Sequence, residues 1–142
     1  MFKRIFCPID GSDTSQRGQA AAIQLAHEQD AALRFFHALD IGPTLIATQV
    51  TDNVLEQLRS DGQAVLDTAL AAAREQGVTA DSTFSEIINQ RAGALITEEA
   101  AAYGADLIVM GTHGRRGLSK LLIGSDANTV LGESTMPVLL IK

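Results

Sequence analysis

Five strand-length apolar runs are spread along the chain, each parted from the next by a segment long enough to cross back over a sheet. No other feature constrains the fold as much, because regular strand–helix alternation builds a parallel sheet with helices on both faces. The first run, Ile5-Phe6-Cys7-Pro8-Ile9, is continuous rather than alternating, as expected of a strand buried on both sides. It stops at Asp10-Gly11-Ser12-Asp13, where Ser12 or Asp13 can cap the helix that runs to about Gln29. Ala20, Ile23 and Ala26/His27 give that helix its expected buried stripe. Leu33–Leu39 is the second strand.

Between Ile41 and Val50 no pattern holds, and Gly42-Pro43 is expected to break any element. Val54, Leu58, Val65, Ala69 and Ala72 then step by four, seven, four and three, which predicts a long amphipathic helix stopped by Gly77. Residues 79–88 form a polar third strand, suited to a sheet edge. Ala92–Tyr103 is a helix with Ile96, Ala100 and Tyr103 on one stripe, followed by the strand Asp106–Met110. A glycine-rich loop leads to a short helix near Ser125, and residues 137–141 close the sheet.

Composition narrows the function. Eleven basic residues against seventeen acidic give a net charge of −6, which excludes binding nucleic acid by net field. Aromatics are 4% of the chain, too few for a base-stacking platform. A single cysteine, Cys7, leaves no intramolecular disulfide and no cysteine-rich zinc site. The chain has no apolar run of about 18 residues and no signal-peptide core, so a cytoplasmic protein that does not enter a membrane is expected. Residues 1–142 read as one domain.

In open sheets of this kind ligands bind beyond the carboxyl ends of the strands, where strand order reverses. The loop 111–125 suits an anion there. It holds four glycines, three cations (Arg115, Arg116, Lys120) and no acid. Glycines permit positive φ and close backbone approach, and the loop runs into a helix start whose first N–H groups lack intrahelical partners. It is neither a Walker loop nor a dinucleotide fingerprint, because the required glycine and lysine spacings are absent.

The spacing Gly111-x2-Gly114-x9-Gly124-Ser125 resembles the ATP-binding branch of the universal stress protein family. Pro8-Ile9-Asp10-Gly11-Ser12, Phe36-His37-Ala38, Ala105–Arg115 and Met136–Ile141 are similar to segments of that family in the same order. The resemblance covers the whole chain. It implies an α/β fold with a doubly wound, five-stranded parallel sheet of order 3-2-1-4-5, Rossmann-like and akin to the adenine nucleotide alpha-hydrolases. It further implies a cytoplasmic stress-response homodimer, joined through 137–142, that holds ATP (or ADP or AMP) between strands 1 and 4 with slow or no hydrolysis. Mg2+ or Mn2+ would enter through the phosphates.

The implied site comprises Pro8, Ile9, Asp10, Ala38, Met110, Gly111, His113, Gly114, Arg115, Gly124, Ser125, Asp126 and Ala127. Ala38 would read the adenine edge through its backbone N–H and C=O. Gly111, Gly114 and Gly124 would admit the phosphates, with Arg115 and His113 beside them. Ser125 can cap its helix and face a phosphate. Asp10 suits either an Asx-turn with Gly11 or a contact to the nucleoside or a hydrated metal. Asp126 favours its helix start, yet repels a triphosphate unless a divalent cation intervenes. Cys7 and His37 read as core residues.

Three other functions compete. An ATPase or autophosphorylating enzyme could use the same pocket, but no positioned base with metal ligands is evident. A phosphorelay receiver would need an aspartate ending strand 3, where Ile88-Asn89 stands. A pure protein-binding module would have no use for the glycine spacing.

Overall fold

The computed structural model describes residues 1–47, 51–114 and 122–142. Its elements run β1 (Arg4–Pro8), α1 (Asp13–Gln29), β2 (Ala32–Asp40), α2 (Gly42–Ile46), α3 (Asp52–Glu75), β3 (Ala80–Ile87), α4 (Ala92–Tyr103), β4 (Leu107–Gly111), α5 (Ser125–Glu133) and β5 (Val138–Ile141). The strands form one parallel sheet in the order β3-β2-β1-β4-β5. No helix among the described residues is long and apolar enough to cross a membrane.

Two apolar layers follow from strand alternation. Ile5, Cys7, Leu33, Phe35, Leu107 and Val109 face α1 and α3; Phe6, Phe36, Ile108 and Met110 face α4 and α5. β1 and β4 therefore bury both faces, which is why their sequences run apolar without interruption. Burial also pushes the Cys7 thiol far above its ordinary range, so it is an inert core group.

β3 is an edge, and its polarity is used there. Asp81 pairs with Arg34 at 2.7 Å, and Glu86 pairs with Arg59 of α3. The other edge, β5, is apolar and four residues long.

Ser12 is the N-cap of α1, and its side chain accepts from the Ser15 N–H. Gly104 ends α4 at φ +74°, a backbone that glycine adopts without penalty.

Three expectations are corrected. Gly42-Pro43 opens the short helix α2 instead of breaking the chain, because the fixed φ of proline suits a first helical turn. Ala20 is exposed, and the buried line of α1 is Gly18, Ala22, Ile23 and Ala26. In α3 the buried line is Gly62, Leu66, Ala69 and Ala73, while Val54 is exposed. In both helices the missed contact is a glycine, which carries no apolar signal.

Candidate functional site

β1 and β4 pair through Ile5–Leu107 and Phe6–Ile108, and their helices leave on opposite faces of the sheet. The strand order reverses here, and in open sheets ligands bind in the crevice beyond the carboxyl ends at such a switch point.

On the β1 side, Pro8 and Ile9 are buried and Asp10 is half-buried. Asp10 Oδ1 accepts from the Ser12 N–H at 2.9 Å, and the Asp10 N–H donates to Ser15 Oγ at 3.0 Å. The Asx-turn reading of Asp10 is thus realised. Gly11, at φ +82°, completes the turn. The other oxygen, Oδ2, lies beside Gly114 in the loop that follows β4.

On the β4 side the chain is held by close backbone approach. A Cβ on Gly111 would lie 2.7–2.9 Å from the Thr14 and Ser15 backbone, and one on Gly18 would lie 3.0 Å from the Gly111 nitrogen. α1 thus rests its first turns directly on the end of β4. Thr14 Oγ1 also donates to the His113 carbonyl. The Gly124 N–H donates to the Thr112 carbonyl at 2.7 Å, and a Cβ on Gly124 would come within 3.1 Å of that oxygen. A Cβ on Gly114 would meet Asp10 Oδ2 at 2.8 Å, so Gly114 brings the two strand ends together.

None of Gly111, Gly114 and Gly124 has positive φ. Of the two uses expected of these glycines, positive φ and close backbone approach, it is close approach that applies here: neighbours occupy the space of a side chain.

α5 begins at Ser125 with Gly124 as its N-cap, and no side chain among the described residues caps this end. Ser125 is therefore the first helical residue and not the cap, a further correction. Its carbonyl accepts from Thr129 Oγ1 at 3.0 Å, and Asp126 in the same turn is exposed. Ala127 has its side chain in the core, leaving only its backbone to face a ligand. Met110 is likewise packed in the α4–α5 layer.

His113 Nδ1 lies 2.8 Å from Thr112 Oγ1, and its Nε2 is buried with no hydrogen-bond partner among the described residues. Arg115, with Arg116 and Lys120, lies outside the described residues. Among the described residues no group of three His, Cys, Asp or Glu side chains could hold a metal ion.

The universal stress protein family model matches residues 1–142. The chain belongs to that family. Universal stress protein MJ0531 of Methanocaldococcus jannaschii is 35% identical over 144 residues, covering 100% of this chain and 83% of that protein. Among solved structures, MJ0577 superposes with a TM-score of 0.85 at 22% identity, over 100% of this chain and 96% of its own. A universal stress protein in complex with cAMP superposes with a TM-score of 0.67 at 27% identity, over 99% and 96%.

In this family member sequence reasoning missed Thr14, Gly18 and Thr112, the framework of the β4 end. Gly18, Ala22 and Ala26 do repeat at i, i+4 and i+8. That small-residue line was the available sign that α1 lies close to a strand. Thr14 and Thr112 gave no such sign.

Proposed function

We propose that this universal stress protein binds an adenine nucleotide in the crevice between β1 and β4, as a regulatory protein with slow or no hydrolysis. The base lies toward Pro8, Ile9 and Ala38. The phosphates lie along Gly111, His113, Gly114, Gly124 and the first turn of α5, with Met110, Ser125, Asp126 and Ala127 beside them and Arg115 as the basic contact the sequence offers. ATP is the proposed ligand. Mg2+ or Mn2+ enters with the phosphates, with Asp10 and Asp126 as water-mediated contacts.

The observation that supports this reading best is the meeting of Gly114 with Asp10 beside a helix start that no side chain among the described residues caps. Unmatched N–H groups and the dipole at such a start attract a phosphate. The related structure with cAMP supports the same ligand class.

Native mass spectrometry of the gently purified protein, followed by calorimetric titration with AMP, ADP and ATP, tests the reading. Bound or titratable adenine nucleotide is expected. No binding of any of the three ends the proposal.

The protein is also proposed to be a cytoplasmic homodimer joined through 137–142. Val138–Ile141 is an apolar edge strand with one neighbour in the sheet, and Leu139 on it is 38% exposed. Such an edge invites pairing with a second copy. Light scattering at tens of micromolar should give twice the mass of one chain; the mass of one chain would end this part of the proposal.

A further inference from the structure

His37 is buried on β2, 6% exposed, and the nucleotide reading gives it no role. Its Nδ1 lies 2.8 Å from the Ile9 carbonyl. A carbonyl only accepts, so Nδ1 carries the proton and donates. Phe84 packs on the ring with centroids 5.4 Å apart. From above, α3 closes on it at Gly62, where a Cβ would lie 2.8 and 2.9 Å from the ring atoms Cδ2 and Nε2 and 2.5 Å from Phe84. A glycine inside a helix costs roughly 1 kcal/mol relative to alanine, and here it lets the helix hold one imidazole in one orientation.

The consequence lies in the ladder between β1 and β2. Ala32 donates to Lys3 and Phe36 accepts from the Ile9 N–H at 2.8 Å, so even-numbered residues of β2 turn their peptide groups toward β1. Leu33 and Ile41 donate to the β3 side, as the alternation requires. Were the ladder to continue by one step, the Ala38 N–H would donate to the Ile9 carbonyl. The register stops at Pro8–Phe36, and that carbonyl is taken by His37. The Ile9 N–H still donates to Phe36, but the next bond of the ladder, from the Ala38 N–H to the Ile9 carbonyl, is not made.

We propose that His37 is a positioning residue for the nucleotide base: by holding the Ile9 carbonyl it ends the β1–β2 ladder and leaves the Ala38 backbone open to the base. This rests on the adenine-nucleotide reading of the crevice. The 37 side chain acts through Ile9 and touches no ligand itself. Gly62 extends the dependence to α3, since anything that moves this helix moves the ring.

The test uses the parent, His37→Asn, His37→Leu and Gly62→Ala. Hydrogen exchange at the Ala38 amide is read by NMR without nucleotide, and AMP and ATP affinities by calorimetry. Asparagine places an N–H near the position of Nδ1; leucine keeps the bulk and loses the donor. In the parent and His37→Asn the Ala38 amide should exchange fast and affinities should agree within about 3-fold. In His37→Leu the ladder should close over Ala38, slowing its exchange. AMP and ATP should then weaken alike, by about 10-fold, since one hydrogen bond to the base is lost. Gly62→Ala, which displaces the ring, should move both readouts the same way.

A protected Ala38 amide in the parent overturns the inference. So does a His37→Leu protein that binds as the parent does, or an asparagine variant as impaired as the leucine one, which would show a packing role. A parent that binds neither AMP nor ATP, with a fast-exchanging Ala38 amide, overturns the nucleotide reading itself. Exchange at Ala38 shows which of the two has failed.

Discussion

The two strand ends that face each other across the crevice are shaped by opposite means. The end of β1 is held by side chains: Asp10 on Ser12, Ser15 on Asp10, His37 on Ile9. The end of β4 is shaped largely by side chains that are missing, at Gly111, Gly114 and Gly124. A hydrogen bond can be weakened by degrees, at about 1 kcal/mol each. A backbone-to-backbone approach has no such give. The β1 end should therefore tolerate substitution better than the β4 end.

Gly111→Ala should have the largest effect. Its Cβ would sit 2.7–2.9 Å from Thr14 and Ser15 backbone, in the first turn of a helix that cannot swing aside. Overpacking of this kind costs about 1–3 kcal/mol, and sometimes more. Urea unfolding measures it. Gly132→Ala is the control: nothing lies within 4 Å of a Cβ there, in the helix α5. That change should stabilise by up to about 1 kcal/mol. If both glycines tolerate alanine equally, the contrast between the two strand ends fails.

Gly114→Val should separate binding from folding. The nearest atom to its Cβ is the end of the Asp10 side chain, which can give way. Stability should change little, while the bulk placed between Asp10 and the helix start should cost at least about 10-fold in ATP affinity, roughly 1.4 kcal/mol. Unchanged affinity by calorimetry would remove the phosphates from this loop.

The fold was largely legible because the strands buried on both faces cannot hide. β1 and β4 were readable as apolar runs, and Ala92–Tyr103 was found to the residue because Gly104 stops it. The order of the strands came from the resemblance. Helix faces were harder, since Gly18 and Gly62 are contacts made by having no side chain. The step of seven from Leu58 to Val65 skips position 62, where α3 presses on His37. The candidate site is legible in the sequence as a set of glycines but not as a geometry. Spacing shows that glycine recurs; whether it serves φ or proximity depends on what lies across from it in space.

On the β1 side, Ser15→Ala removes the acceptor of the Asp10 N–H. Ser15 is 5% exposed, so the variant loses a buried hydrogen bond at the end of β1. A cost of about 1 kcal/mol in urea unfolding is expected, below that of Gly111→Ala. A cost above about 3 kcal/mol would reverse the ranking of the two ends.

The smallest effect should come from Asp126→Asn, and it should carry opposite signs in two measurements. Asp126 is in the first turn of α5, where a carboxylate complements the helix dipole by about 0.3–1 kcal/mol. Asparagine should destabilise the fold by that amount. The same carboxylate stands in the turn assigned to the phosphates. Two like charges in water a few ångströms apart repel by about 1 kcal/mol, a factor of about 5 in affinity. In EDTA, Asp126→Asn should therefore bind ATP about 3- to 5-fold more tightly than the parent. Magnesium should shrink the gap, because a divalent cation between carboxylate and phosphate turns repulsion into a bridge. Tighter binding in a less stable protein is an outcome that general loosening of the helix start would not produce. Equal affinities in EDTA would make Asp126 a helix-start residue and nothing more.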